Sequence, residues 1–326
     1  MREVVFIKNN GPKWEKFEQV VKSSNNVSAD ELSDLYLGLQ DDLAYARTFY
    51  PKSNTTKYLN ELTAHFHRAI YKNKRERGSR ILTFWKYEVP YAVLKSHRQL
   101  FYALLIFVTS ILIGTVSSAN DENFTRLIMG DSYVNMTLEN IEKGDPMAVY
   151  SKMHQQEMFF AISSNNIYVS FLAWVMGIFL SVGSVYMLFS NGVMVGAFQY
   201  LFYQKQLFTT AILAIYLHGA LELSAIVIAA GAGMVLGNSI LFPGTYSRLD
   251  SLTEAAKRSL KIIIGLIPVF VVAALLESFV TRYYNVMPQL LRVIIILVSF
   301  SFIIWYFILY PLSLKHKQNG KQNSAA

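Results

Sequence analysis

The sequence predicts an all-α fold, a polytopic membrane helical bundle of about six spans with an N-terminal cytoplasmic helical domain. Three observations carry that expectation. The 326 residues are 53% hydrophobic and only 16% charged, against about 25% charged in ordinary soluble domains. The charges are also unevenly placed: 17 of the 30 Lys/Arg and 11 of the 22 Asp/Glu fall within residues 1–98. Beyond that point, apolar runs recur that suit crossing a hydrocarbon layer of about 30 Å.

Residues 1–78 read as the cytoplasmic helical domain. Ser28 and Glu31 have capping-box spacing, and Leu32, Leu35, Tyr36, Leu39, Leu43 and Ala46 follow at helical intervals up to Pro51. A second helix runs from about Thr55 to Arg77, with Leu59, Leu62, Phe66, Ile70 and Tyr71 on one side, and Gly78 ends it. Residues 79–98 interleave Trp85, Tyr87 and Tyr91 with Arg80, Lys86 and Lys95, the pattern of an amphipathic juxtamembrane helix in the headgroup zone. A core helix of the soluble domain is the competing reading.

Charge placement decides the partner class. From His65 to Arg98, nine Lys/Arg stand against Glu76 and Glu88 alone, directly before the first apolar run. Such a cluster is retained on the cytoplasmic side and attracted to anionic headgroups. The net charge of +8 is therefore assigned to membrane lipids and not to nucleic acid. The absence of cysteine excludes disulfides, thiolate metal sites and cysteine nucleophiles. With no signal peptide at the start, Leu100–Val116 is expected to target the chain.

The membrane part spans 99–314. Its apolar stretches are Leu100–Val116, Ile167–Phe189, Gly192–Tyr203, Phe208 to about Val235, Ile262–Val280 and Val293–Leu312. The third is short for a full crossing, so a re-entrant segment over 192–206 is an alternative. The polar interval 119–165 reads as an extracytoplasmic helical segment: over 119–163 it holds seven acids and only three Lys/Arg. Basic residues in the 243–261 connector and the 315–326 tail put both termini in the cytoplasm of a multi-pass cell-membrane protein.

Two acids lie within these stretches, Glu222 and Glu277, and His218 shares a helix face with Glu222. A titratable group at the bilayer centre costs about 2.5–3.5 kcal/mol on insertion scales, so such groups are kept for ion paths, proton relays or interior contacts. An intramembrane polar site and plain interhelical packing are both open readings. On straight helices rising 1.5 Å per residue, the two acids sit about 13 Å apart in depth and do not touch. No metal or other cofactor is expected, because His218 and Glu222 lack a third ligand: the other histidines, His65, His67, His97, His154 and His316, lie outside the spans. No serine-protease triad is discernible either.

Gly192 with Gly196, and Gly233 with Gly237 beside Gly231, have the spacing that lets helices approach closely in lipid. Gly219 permits either close packing or a local break. The two glycine pairs, with the wide apolar surface, point to a homo-oligomer, most simply a dimer.

The run His218-Gly-Ala-Leu-Glu-Leu-Ser-Ala225, continuing to Ala230-Gly-Ala-Gly-Met-Val-Leu-Gly237, resembles the signature of the stage II sporulation protein M family (the DUF95 integral membrane proteins). Asn191-Gly-Val-Met-Val-Gly196 and Ala274-Leu-Leu-Glu-Ser-Phe-Val-Thr281 resemble its preceding and later motifs, and the likeness covers roughly residues 80–312. Ser224 departs from it, since many members carry proline there. The resemblance implies an integral membrane protein rather than a known enzyme, and its namesake partners peptidoglycan-degrading proteins during engulfment. The leading expectation is thus a non-enzymatic cell-envelope scaffold recruiting envelope or peptidoglycan-remodelling partners. The alternative is a transporter or channel using Glu222, Glu277 and His218.

Overall fold

The computed structural model of the chain describes residues 2–23, 29–70, 79–148 and 154–315, and every regular element among them is helical. The chain divides into two compact units, Met1–Ser79 and Arg80–Ala326.

The first unit contains α1 (Glu3–Ser23), α2 (Ala29–Phe49) and α3 (Asn54–Ile70). Phe6, Trp14 and Phe17 of α1 meet Leu39, Leu43 and Ala46 of α2 and Leu59 and Leu62 of α3 in one core. The α2 and α3 residues are the stripes that the spacing predicts. α1 adds to that expectation, its apolar positions being masked by the polar stretch around Pro12. Lys13 Nζ and Trp14 Nε1 both donate to Asp42 Oδ2 at 2.9 Å, joining α1 to α2. The expected cap at Ser28, the stop at Gly78 and the tail from residue 316 lie outside the described residues.

In the second unit, α4 (Ser79–Thr83), a π-helical turn (Phe84–Glu88) and α5 (Val89–Lys95) lead into α6 (His97–Asn120). This lead-in is docked on the bundle. Val89 is fully buried against Gly265, Trp85 Nε1 donates to the Gly265 carbonyl at 3.4 Å, and Glu88 pairs with Lys261 at 2.7 Å. Tyr306 and Tyr310 donate to the carbonyls of Trp85 and Lys86. Ile81, Leu82, Tyr87 and Tyr91 stay exposed, as on a helix that also faces lipid.

Then come α7 (Phe124–Met129), α8 (Asp131–Glu142), α9 (Gln155–Val175), α10 (Val182–Gln204), α11 (Phe208–Leu241), α12 (Arg248–Leu275) and α13 (Gln289–Ile304). Six helices among the described residues are long and apolar enough to cross a membrane: His97–Asn120, Gln155–Ile178, Val182–Gln204, Phe208–Leu241, Arg248–Tyr283 and Gln289–Lys315. The protein is a multi-pass membrane helical bundle.

The second and third spans differ from expectation. The second begins at Gln155, twelve residues before Ile167, and the chain turns at Phe179–Ser181 in the middle of the expected Ile167–Phe189 stretch. Hydropathy missed the turn because no proline or charge marks it. The chain reverses there through Leu180 and Ser181, which take left-handed φ of 52° and 70°. Ser181 Oγ holds the turn by donating to the Met234 carbonyl at 3.2 Å. The third span is consequently a full 23-residue helix, about 34 Å at 1.5 Å per residue, and not a re-entrant piece. Of the polar residues in α9, Ser163, Asn166 and Ser170 turn inward and are buried.

α11 is the axis of the bundle, touching α6, α9, α10, α12 and α13. Its alanines and glycines allow this. A Cβ on Gly231 would lie 2.7 Å from the Leu100 side chain, and one on Gly233 would lie 2.7 Å from the Ala173 carbonyl. Gly237 is closed by the backbone of Leu180 and Ser181. On α10, a Cβ on Gly192 would lie 2.6 Å from Ser110 Cβ, and Gly196 abuts the Ile111 carbonyl. Both glycine pairs are thus filled within one chain, so the homo-oligomer expected from them finds those faces already engaged. Gly219 is different, with only its own helix's Ile215 within reach. It lines an apolar groove of about 550 Å³ between α6, α11 and α13, and the helix runs through it unbroken.

Candidate functional site

Two pairs of side chains at helical i, i+4 spacing face one another across α11 and the end of α12. His218 and Glu222 project from α11. Glu277 stands in a π-helical turn, Leu276–Val280, that continues α12, and Thr281 opens the following 3₁₀ turn. π-helical turns insert one residue into the helical register and are frequent at functional sites. Because the helices are antiparallel, His218 meets Thr281 and Glu222 meets Glu277.

The contacts are short. His218 Nδ1 lies 3.1 Å from Thr281 Oγ1, and His218 Nε2 lies 3.8 Å from Glu277 Oε1. One ligand atom each from His218, Glu222 and Glu277 fall within 4.8 Å of one another. His218 is 5% exposed and Thr281 is fully buried, while the Glu277 side chain is 13% exposed. At that spacing and an effective dielectric of about 20, two ionised carboxylates repel by about 3.5 kcal/mol.

This corrects the expected separation of about 13 Å. Leu236 and Ala255 pack in one cluster near the other end of the same helix pair. From there to the acids, α11 uses 14 residues (236 to 222) and α12 uses 22 (255 to 277). Straight parallel rods would use equal numbers. α12 carries Pro268 inside it and the π-helical turn at its end, both of which bend or re-phase a helix. Glu277 thereby stands within 4.8 Å of His218 and Glu222 and could offer a third ligand atom.

Further polar groups converge from elements that the sequence reading left out. Asn166 of α9 is 6% exposed, and its Nδ2 stands beside the Glu222 carboxyl without closing a hydrogen bond of standard geometry. Ser163 and Ser170 flank it on the same face, and Ser278 lies next to Glu277; all three are buried, with hydroxyls that make no hydrogen bond among the described residues. The Ser163-x2-Asn166-x3-Ser170 spacing is the signal that marks this inward polar stripe. α8 approaches the same end: the Tyr133 phenol is pushed up by burial and then by the negative charge of Glu277. His97 and His154 are not part of the cluster, which among the described residues is the one group of three or more His, Asp or Glu spaced for a metal ion.

Comparison with known proteins bears on the same helices. A family model described as Domain of unknown function (DUF8413) matches residues 4–72, the first unit. No curated protein and no solved structure matches. A model described as Stage II sporulation protein M matches residues 103–282, which is 180 of 326 residues and includes His218, Glu222, Glu277 and Thr281. The chain belongs to the stage II sporulation protein M family.

Proposed function

We propose that this protein is a cation-handling membrane protein, a transporter or channel whose binding station is the His218, Glu222 and Glu277 cluster. The observation that carries the reading is the convergence of three titratable side chains from two helices to within 4.8 Å of one another. Two acids that served packing alone would be expected on separate neighbours. In the bundle interior, two carboxylates in one place require positive charge, which a proton or cation path supplies. The reading is non-enzymatic. Liposomes carrying the full chain test it: Glu222→Gln and Glu277→Gln, which keep size and hydrogen bonding, should fold normally and abolish proton- or cation-dependent flux. Wild-type liposomes that stay silent across a broad ion panel would sink it.

A second reading, the envelope scaffold, rests on a different observation. Residues 1–79 form a compact unit with their own core, and a separate family model covers them. A domain of that kind on a membrane bundle suits recruitment of partners, and the namesake's peptidoglycan-degrading partners give the first candidates. Crosslinking in cells distinguishes the two, because recruitment survives the glutamine substitutions and flux does not. In both readings, we place the N-terminus and tail in the cytoplasm of the cell membrane, with the basic 65–98 segment against anionic lipid.

A further inference from the structure

We infer that the cluster is a metal site for a divalent transition-metal cation of hard to borderline character, Zn²⁺, Mn²⁺ or Fe²⁺, with His218 Nε2 and carboxylate oxygens of Glu222 and Glu277 as its protein ligands. The inference rests on the cation-handling reading and names the class of cation.

Geometry comes first. In a tetrahedral site with metal–ligand distances of about 2.0–2.2 Å, ligand atoms stand about 3.4 Å apart. All three ligand atoms lie within 4.8 Å of one another, and His218 Nε2 to Glu277 Oε1 is 3.8 Å. Small side-chain rotations therefore bring all three onto one ion. Chemistry comes next. One imidazole and two carboxylates suit zinc, manganese or ferrous iron, whereas copper(I) prefers sulfur ligands, and this chain has no cysteine. A divalent ion also cancels the charge of both carboxylates, which a monovalent ion does not.

The surroundings supply the independent support. Metal-bound histidine characteristically uses its second ring nitrogen in an outer hydrogen bond that fixes tautomer and ring orientation. With Nδ1 protonated and donating to Thr281 Oγ1, 3.1 Å away, the Nε2 lone pair points at the carboxylates. Asn166, buried and with Nδ2 beside Glu222, is placed to orient that carboxylate once it coordinates. Three protein ligands leave one coordination position of a tetrahedral ion open, the arrangement of an exchanging or reactive site and not of a closed structural one.

The test uses the full chain, purified in detergent without an affinity-tag histidine run, stripped with chelator and titrated with Zn²⁺, Mn²⁺ and Co²⁺. One equivalent of metal per chain is expected, with a Co²⁺ visible spectrum that Zn²⁺ abolishes. Glu277→Gln should lose the spectrum. Thr281→Val should weaken binding about 10–100-fold, the usual range for an outer-shell partner, and Thr281→Ser should restore it. X-ray absorption on wild-type protein loaded with Zn²⁺ gives a readout that needs no variant: one imidazole and otherwise oxygen ligands. No stoichiometric binding, or binding that Glu277→Gln and Thr281→Val both leave unchanged, overturns the inference. The two readings fail separately. Flux abolished by the glutamine substitutions in protein that binds no metal overturns the metal site and keeps the proton path. Metal bound without any flux supports the metal site and removes transport.

Discussion

His218 and Thr281 are 63 positions apart in the chain and 3.1 Å apart in the folded protein, Nδ1 to Oγ1, with both side chains buried. The contact joins the central helix to the turn that follows α12. Burying the ring without its partner strands a polar nitrogen, which costs about 1–3 kcal/mol. Thr281→Val should therefore lower the detergent-solubilised melting temperature, whereas Thr281→Ser, which keeps the hydroxyl, should stay close to wild type. Equal melting temperatures for the valine and serine variants would remove the contact from the structural argument.

A pair of alanine substitutions within α11 separates packing glycines from the rest. A methyl on Gly233 would run into Ser184 Oγ and the Ala173 carbonyl, whereas one on Gly219 meets only Ile215 Cγ2 at 3.6 Å. Overpacking of this kind costs about 1–3 kcal/mol, while removing an unneeded helical glycine gains up to about 1 kcal/mol. Gly233→Ala should reduce the folded fraction in fluorescence size-exclusion chromatography, and Gly219→Ala should match or exceed wild type. The reverse order would show that the α9–α11 contact is misplaced.

These two helices also show what was legible in the sequence. The existence of six apolar spans follows from composition, because a lipid-facing helix must be apolar along its length. The turn at Phe179–Ser181 was illegible, since hydropathy reports solvent and not chain direction, and the turn sits inside one continuous apolar run. Glu222 and Glu277 stand out individually for the same reason that charges are costly in lipid. Their meeting was hidden, because depth counted along straight helices ignores Pro268 and the π-helical turn that bend or re-phase α12. The partner of His218 was nonetheless encoded nearby: Thr281 follows Glu277 by four residues, as Glu222 follows His218, and antiparallel packing pairs the two intervals. Asn166 escaped because the expected span began one residue later, at Ile167.

Sidedness is open to direct labelling in a chain with no native cysteine. Asn135 is exposed on α8, and Thr253 is exposed near the start of α12. An odd number of crossings, α9, α10 and α11, separates these ends of the bundle. Asn135→Cys should react with an impermeant maleimide added to intact cells, and Thr253→Cys only after lysis. Labelling of Thr253→Cys from outside would invert the proposed topology, and labelling of both would break the span count.

Tyr284 ties the α7–α8 segment to the turn after α12. Its hydroxyl donates to Asp145 Oδ1 at 3.2 Å, and nearby Met147 is buried with Phe202, Leu217 and Tyr284 in one cluster. Burial, and then the Asp145 charge, push the Tyr284 phenol up to about 12. An unfolded tyrosine titrates near 10, so here the folded pKa lies above the unfolded one. The stabilisation is then fully present below pH 10 and is lost as pH rises from 10 toward 12. Tyr284→Phe removes both the hydrogen bond and the titration. At neutral pH, it should make the 124–148 segment more susceptible to limited proteolysis, by about 0.5–1.5 kcal/mol for one partly screened hydrogen bond. Above pH 10, wild type should approach the variant, because ionisation leaves a phenolate beside a carboxylate. The decisive quantity is the difference between the two proteins, since other tyrosines titrate equally in both. A difference that stays constant from pH 8 to pH 12 would mean that the Tyr284 hydroxyl does not hold this segment down.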